Sequence, residues 1–253
     1  MIKNTLKTAA IAITLGVASL TWSNQADAGL LTSEVIFGSG NANGGFTIEQ
    51  FGSLELGLRA KLRYNENGQA ENTFPWDSAD TYTFYQADGN APSNHAIWNF
   101  EWSINTSWDD NGVNLNAYNY LIEINGDNGF SSSYNPFGAL RNVSLGNNST
   151  QNGGGVGRGW LGWVFGGTPT NYNVAQESVN IGFSNISNSG FDPQSLGMYE
   201  ITLSAFQNGQ TVGSNTIFVN MQSEPNAVSE SATLALFSLG LVGLGALRRR
   251  KRS

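Results

Sequence analysis

Tryptophans set among carboxylates and amides are the residues of this chain best equipped for recognition chemistry. Trp76 stands in Pro75-Trp76-Asp77, Trp108 precedes Asp109-Asp110, and Trp160 and Trp163 lie beside a glycine-rich stretch. A flat ring exposed on a turn can stack on a sugar face while neighbouring polar groups read its hydroxyls, so these four are ligand candidates for carbohydrate. Trp98 and Trp102 differ, because they alternate with polar residues in a strand-like run and are expected in the core.

Carboxylates offer two further chemistries. Asp109-Asp110-Asn111-Gly112 and Asn125-Gly126-Asp127-Asn128-Gly129 place hard oxygen donors in turns, which makes Asp109, Asp110 and Asp127 calcium candidates. Neither segment has the acidic spacing or closing Glu of an EF-hand, and both also read as ordinary Asx-rich turns. Glu101 and Glu123 sit in the middle of predicted strands and are the candidates for a glycosidase pair, which needs two carboxyls on one face. Their phase, opposite the apolar residues of their own strands, is equally that of a wet face.

Other catalytic classes are poorly supplied. The chain has no cysteine and a single histidine, His95, so a thiol nucleophile, a Cys-ligated metal and a paired-His zinc site are excluded. His95 follows Pro92-Ser93-Asn94 in a turn-like context, and no Gly-x-Ser-x-Gly elbow accompanies it. The expectation is a protein without catalytic residues and without a cofactor, calcium excepted.

The elements that must position these side chains are strands. From Ser53 onward, Leu54, Leu56, Leu58, Leu62 and Tyr64 alternate with Glu55, Arg59, Lys61 and Arg63, which predicts one buried face and one solvated face. Tyr82 with Phe84, then Trp98, Phe100, Trp102 and Ile104, then Tyr118, Tyr120, Ile122 and Ile124 repeat the period of two. Val179, Ile181 and Phe183 mark another strand. Asn208-Gly209, between two β-rich runs, is a strong hairpin signal because a type I′ turn needs positive φ at both central residues.

No helical stripe is evident in the body, and residues 142–159, with Gly153-Gly154-Gly155, read as a mobile surface loop. That loop lacks the Lys-Ser/Thr and following helix of a phosphate cradle. Strands separated by Gly/Asn turns predict an all-β fold, an antiparallel β-sandwich of jelly-roll-like or Ig-like type.

Both ends of the chain carry addresses. Lys3 and Lys7, an apolar stretch over 8–20 and the small-x-small site Ala26-Asp27-Ala28 form a secretory signal peptide, with cleavage after Ala28. At the other end, residues 232–247 are apolar and are followed by Arg248-Arg249-Arg250-Lys251-Arg252, a stop-transfer pattern with its charges on the cytoplasmic side. As a helix this run rises about 24 Å, short of the roughly 30 Å hydrocarbon thickness, which suits transient inner-membrane insertion.

The domain reading is therefore a signal peptide over 1–28, a sandwich body over 29–222 and a tail over 223–253. The body carries five basic and sixteen acidic residues, a net charge of −11, against −7 for the whole chain. Such a surface has no basic stripe with which to bind nucleic acid.

The tail resembles the PEP-CTERM sorting signal of Gram-negative bacteria, a Pro-Glu-Pro-like motif followed by a short apolar helix and a terminal Arg-rich cluster. The likeness covers the residues from Val228 onward, with Ser229-Glu230-Ser231 where that family has Pro-Glu-Pro. It implies recognition by an exosortase-like membrane processing enzyme, acting around Ser229 to Ser231 and the cluster Arg248 to Arg250. It further implies delivery to the cell surface or extracellular matrix, in association with exopolysaccharide. Three functions remain open at this point: a non-catalytic surface or matrix protein, a carbohydrate-binding module using the loop tryptophans, and a glycoside hydrolase.

Overall fold

The computed structural model describes residues 45–77, 80–183, 191–192 and 195–223. The segment expected to be a signal peptide, with Ala26 and Ala28, and the segment expected to be a sorting tail, with Ser229, Glu230, Ser231, Arg248, Arg249 and Arg250, lie outside the described residues. Among those described, no helix is long and apolar enough to cross a membrane.

The fold is all-β, two sheets packed face to face. One sheet is ordered β1 (Thr47–Phe51), β2 (Leu54–Tyr64), β5 (Trp98–Asn105), β10 (Val174–Asn180), β8 (Ser144–Gly146), β9 (Val156–Gly157), with β3 (Ala70–Thr73) also pairing with β2. The other is ordered β4 (Thr81–Tyr85), β12 (Gln210–Gln222), β11 (Gly197–Gln207), β6 (Asn119–Gly126), β7 (Ser131–Tyr134). All pairs among these strands are antiparallel except β4 with β12, which run parallel.

The period of two holds where the sequence shows it. Leu54, Leu56, Leu58 and Ala60 of β2 meet Trp98, Phe100, Trp102 and Ile104 of β5 and Ile201 and Leu203 of β11 in one core between the sheets. Full burial of each leucine, isoleucine or phenylalanine among them contributes roughly 1.5–3 kcal/mol. The Asn208-Gly209 turn joins β11 to β12 with φ of 53° and 78°, the left-handed pair that a type I′ turn requires.

The opposite face of β2 and β5 is not the solvated surface that the alternation predicts. Arg59, Lys61 and Glu101 are each 0% exposed, and Glu55 is also buried. The cause is a second layer of chain over this face. The guanidinium of Arg59 lies 4.1 Å from the ring centre of Phe46 and 4.7 Å from that of Phe74, and the ammonium of Lys61 donates to Asn72 Oδ1 at 2.9 Å. Charge neutralisation makes the burial tolerable: Arg59 Nε donates to Glu101 Oε2 at 2.5 Å and Lys61 Nζ lies 2.5 Å from Oε1. Burial still pulls the pKa of both cations down, with the Glu101 charge opposing it. Glu123, on β6, is exposed as expected.

Residues 142–159 also depart from the expected mobile loop. They contain β8, whose three residues are all buried against β10, and the short β9. Trp160–Phe165 then form a single helix, α1. A three-residue strand and a six-residue helix are too short to impose a readable period on a glycine-rich segment.

Candidate binding cleft on the outer face of the larger sheet

The inter-strand register determines which polar side chains share the outer face. β2, β5 and β10 are neighbours, and the pairs Glu55↔Asn105, Asn105↔Val174, Gly57↔Ser103 and Ser103↔Gln176 build two adjacent rows across them. Together these rows supply Glu55, Ser103, Asn105, Val174 and Gln176 as the floor of a cleft of about 230 Å³. Its walls are Trp108 and Asp110, from the loop after β5, and Asn147, Asn148 and Thr150, from the loop after β8.

The walls are held by hydrogen bonds. Trp108 Nε1 donates to the Gly52 carbonyl at 2.7 Å and Ser53 Oγ donates to Asp109 at 3.0 Å, which ties the loop after β5 to the turn between β1 and β2. Asn148 Nδ2 donates to Asp110 Oδ1 at 2.5 Å, and Asn148 Oδ1 accepts from Asn105 at 3.1 Å and Asn173 at 2.9 Å, so the two wall loops are joined. Thr150 folds over Gly146, where a Cβ would come within 2.8 Å of the threonine hydroxyl oxygen; only glycine leaves that space.

The floor is less completely satisfied. Gln176 is 2% exposed, donates from Nε2 to Ser103 Oγ at 3.1 Å, and has no partner for its Oε1. An unsatisfied buried acceptor costs about 1–3 kcal/mol. Glu55 accepts from the Gln50 amide at 2.8 Å, and burial raises its pKa because no cation offsets the lost hydration. The site thus offers a flat indole at its rim and an amide, a hydroxyl and a carboxylate below, with 41% of Trp108 left accessible.

The structure separates the four tryptophan candidates. Trp108 lines the cleft. Trp76 pairs with Tyr82 beside the other sheet, and Trp160 and Trp163 stand on α1 with Leu161 and Phe165 as an exposed apolar group; none of these lines the cleft.

Asp109 is held by Ser53 and by the backbone N–H of Asn111, whose hydrogen bond keeps its carboxyl below the usual range. Asp110 faces Asn148 in the cleft wall, whereas Asp127 lies in the turn after β6 against Gly197. Among the described residues no group of three or more acidic or histidine side chains gathers to hold a metal ion. His95 packs edge-on against Tyr64 and Phe183, with ring centres 6.3 Å and 5.5 Å away.

Glu101 and Glu123 do not form a pair. Glu101 points outward from the larger sheet and is locked between Arg59 and Lys61, while Glu123 points outward from the smaller sheet, on the far side of the sandwich. The two-carboxyl arrangement of a glycosidase is therefore not made from these residues.

Sequence patterning does not distinguish the floor residues Glu55, Ser103, Asn105 and Gln176 as ligand contacts: their signal is polarity at alternate positions, which a solvated face gives as well.

A second internal polar group lies between the sheets. Glu177 of β10 faces Trp102 across the register, accepts from the Asn142 backbone N–H at 2.9 Å, and has no partner on Oε2. Burial pushes its pKa up to about 7, with the Arg141 charge acting against that rise. Arg141 lies 3.9 Å above the Tyr134 ring, and Tyr134 Oη is likewise without a partner.

No protein-family model, curated protein or solved structure matches the chain.

Proposed function

We propose that the chain is an exported, non-catalytic surface or matrix protein whose sandwich binds a polysaccharide unit in the cleft beneath Trp108. The observation that carries this reading is the unsatisfied, buried Gln176 amide in a polar floor with an accessible indole at its rim. A cleft of about 230 Å³ is smaller than the roughly 300–1,000 Å³ of drug-sized sites, so it suits one ring of a longer chain. In this reading the sandwich is jelly-roll-like, with strands distant in sequence, β5 and β10 or β4 and β12, laid side by side.

Binding is tested by titrating the full chain with a panel of neutral and charged oligosaccharides while following tryptophan fluorescence. Trp108→Ala is expected to weaken binding on the order of tenfold, about 1.4 kcal/mol, whereas Trp160→Ala leaves it unchanged. No response across the panel, or equal loss in both variants, would overturn the reading.

Delivery follows from the two terminal addresses. The signal peptide exports the chain, and the PEP-CTERM-like tail holds it in the inner membrane of a Gram-negative cell until an exosortase-like enzyme removes it. The body then joins the surface exopolysaccharide. The intact mass of the surface-exposed protein should correspond to a chain ending before residue 232, and a version ending at Gln222 should lose membrane retention. Equal retention of both forms would sink the sorting half of the proposal.

A further inference from the structure

We propose that the cleft selects a sugar unit bearing a free amine, a de-N-acetylated hexosamine, over neutral, N-acetylated or uronic-acid units. The proposal rests on the carbohydrate reading above and adds the chemical class of the ligand.

The charge lining the cleft is of one sign. Glu55 and Asp110 contribute carboxylates, and no lysine or arginine lines it. The nearest cations along the floor strand, Arg59 and Lys61, are already committed to Glu101. Glu55 is 7% exposed, its hydrogen-bond donor is the neutral Gln50 amide, and among the described residues it makes no ion pair. A buried carboxylate without a counter-ion is stabilised by any cation that can reach it, and an ammonium brings three donors as well as a charge. Gln176 Oε1, the orphaned acceptor of the same floor, is a second place for those donors.

A uronic acid would instead set its carboxylate against two others, and like charges at close range are strongly disfavoured. An N-acetyl group would replace the charge by a bulkier neutral amide in a cleft of about 230 Å³. Trp108 adds a face against which a ring carrying positive charge is favourably placed, since the indole is the best cation–π partner. The body's net charge of −11 increases the encounter rate with a polycation but does not choose the site.

The test uses the full chain and four hexamers: glucosamine, N-acetylglucosamine, glucose and galacturonate, each β-linked or α-linked as it occurs in its polymer. The glucosamine hexamer is expected to bind at least tenfold more tightly than the other three at pH 7. Glu55→Gln should reduce that preference to less than threefold, and Glu123→Gln, on the far face, should leave both the preference and the binding of the glucose hexamer unchanged.

Equal affinity for all four hexamers would overturn the amine preference and leave the carbohydrate reading standing. Absence of binding to any hexamer would overturn both. An equal loss in Glu55→Gln and Glu123→Gln would show a bulk charge effect and overturn the assignment to the cleft.

Discussion

Replacing Glu101 by Gln is expected to destabilise the protein by about 3–5 kcal/mol, because it withdraws the carboxylate from two buried cations at once. Arg59 and Lys61 are both fully buried, and the two oxygens of Glu101 are divided between them, Oε2 to Arg59 and Oε1 to Lys61. The substitution keeps shape and one acceptor oxygen, so the loss is mainly electrostatic. For a body of this size the corresponding fall in Tm is on the order of 10 °C, readable by thermal unfolding monitored through near-UV circular dichroism.

The triple replacement Arg59→Met, Lys61→Met, Glu101→Leu is expected to recover most of the loss, since it removes the charges together with the cost of desolvating them. A Glu101→Gln variant as stable as the native chain would show that the triad is hydrated in solution.

The second large effect is a dependence of stability on pH governed by Glu177. In the folded chain its carboxyl holds a proton up to about pH 7, whereas the ordinary value, appropriate to the unfolded chain, is 4.5. Between those values the folded state binds more protons than the unfolded state, so unfolding free energy falls as pH rises and levels off above 7. The full span is on the order of 3 kcal/mol.

The groups facing Glu177 are Arg141 and Arg158, whose charges favour its ionised form, and Tyr134, whose own ionisation is pushed far up by burial. Glu55, also raised by burial, adds to the slope in the same direction. Glu177→Gln is expected to flatten the profile between pH 4.5 and 7 and to be more stable than the native chain at pH 8. Urea midpoints measured across that range check this; a native profile that rises with pH, or a variant less stable at pH 8, would contradict it.

The strands and the cleft differ in how far they could be read from the chain. Alternation of Leu54, Leu56 and Leu58, or of Trp98, Phe100 and Trp102, reports a buried face directly, and Asn208-Gly209 reports its hairpin through φ. The other face is ambiguous in principle, because alternation shows where polar residues point and not whether anything covers them. Arg59, Lys61 and Glu101 therefore look like a solvated face, although Phe46 and Phe74 stack over the guanidinium.

The cleft inherits that ambiguity. Trp108 could be nominated from its place before two aspartates, but Glu55, Ser103 and Gln176 become one site only through the register of β2, β5 and β10, which brings together positions over 120 apart in sequence. Glu177 is hidden for a different reason: it sits at an inward position of a strand whose residues Gln176, Glu177 and Ser178 show no apolar alternation, and the charges that favour its ionised form, Arg141 and Arg158, come from other segments.

The parallel pairing of β4 with β12 bears on how the fold carries a mechanical load. β12 is bonded to β11 on one side, and over Phe218–Gln222 to β4 on the other, so its last residues are clamped from both edges. A pull applied along the chain beyond Gln222 runs lengthwise down β12 and loads these transverse hydrogen bonds in shear, all at once. A protein held to a surface by this end would resist drag through its strand pairing, and would yield only when the whole clamp slid together.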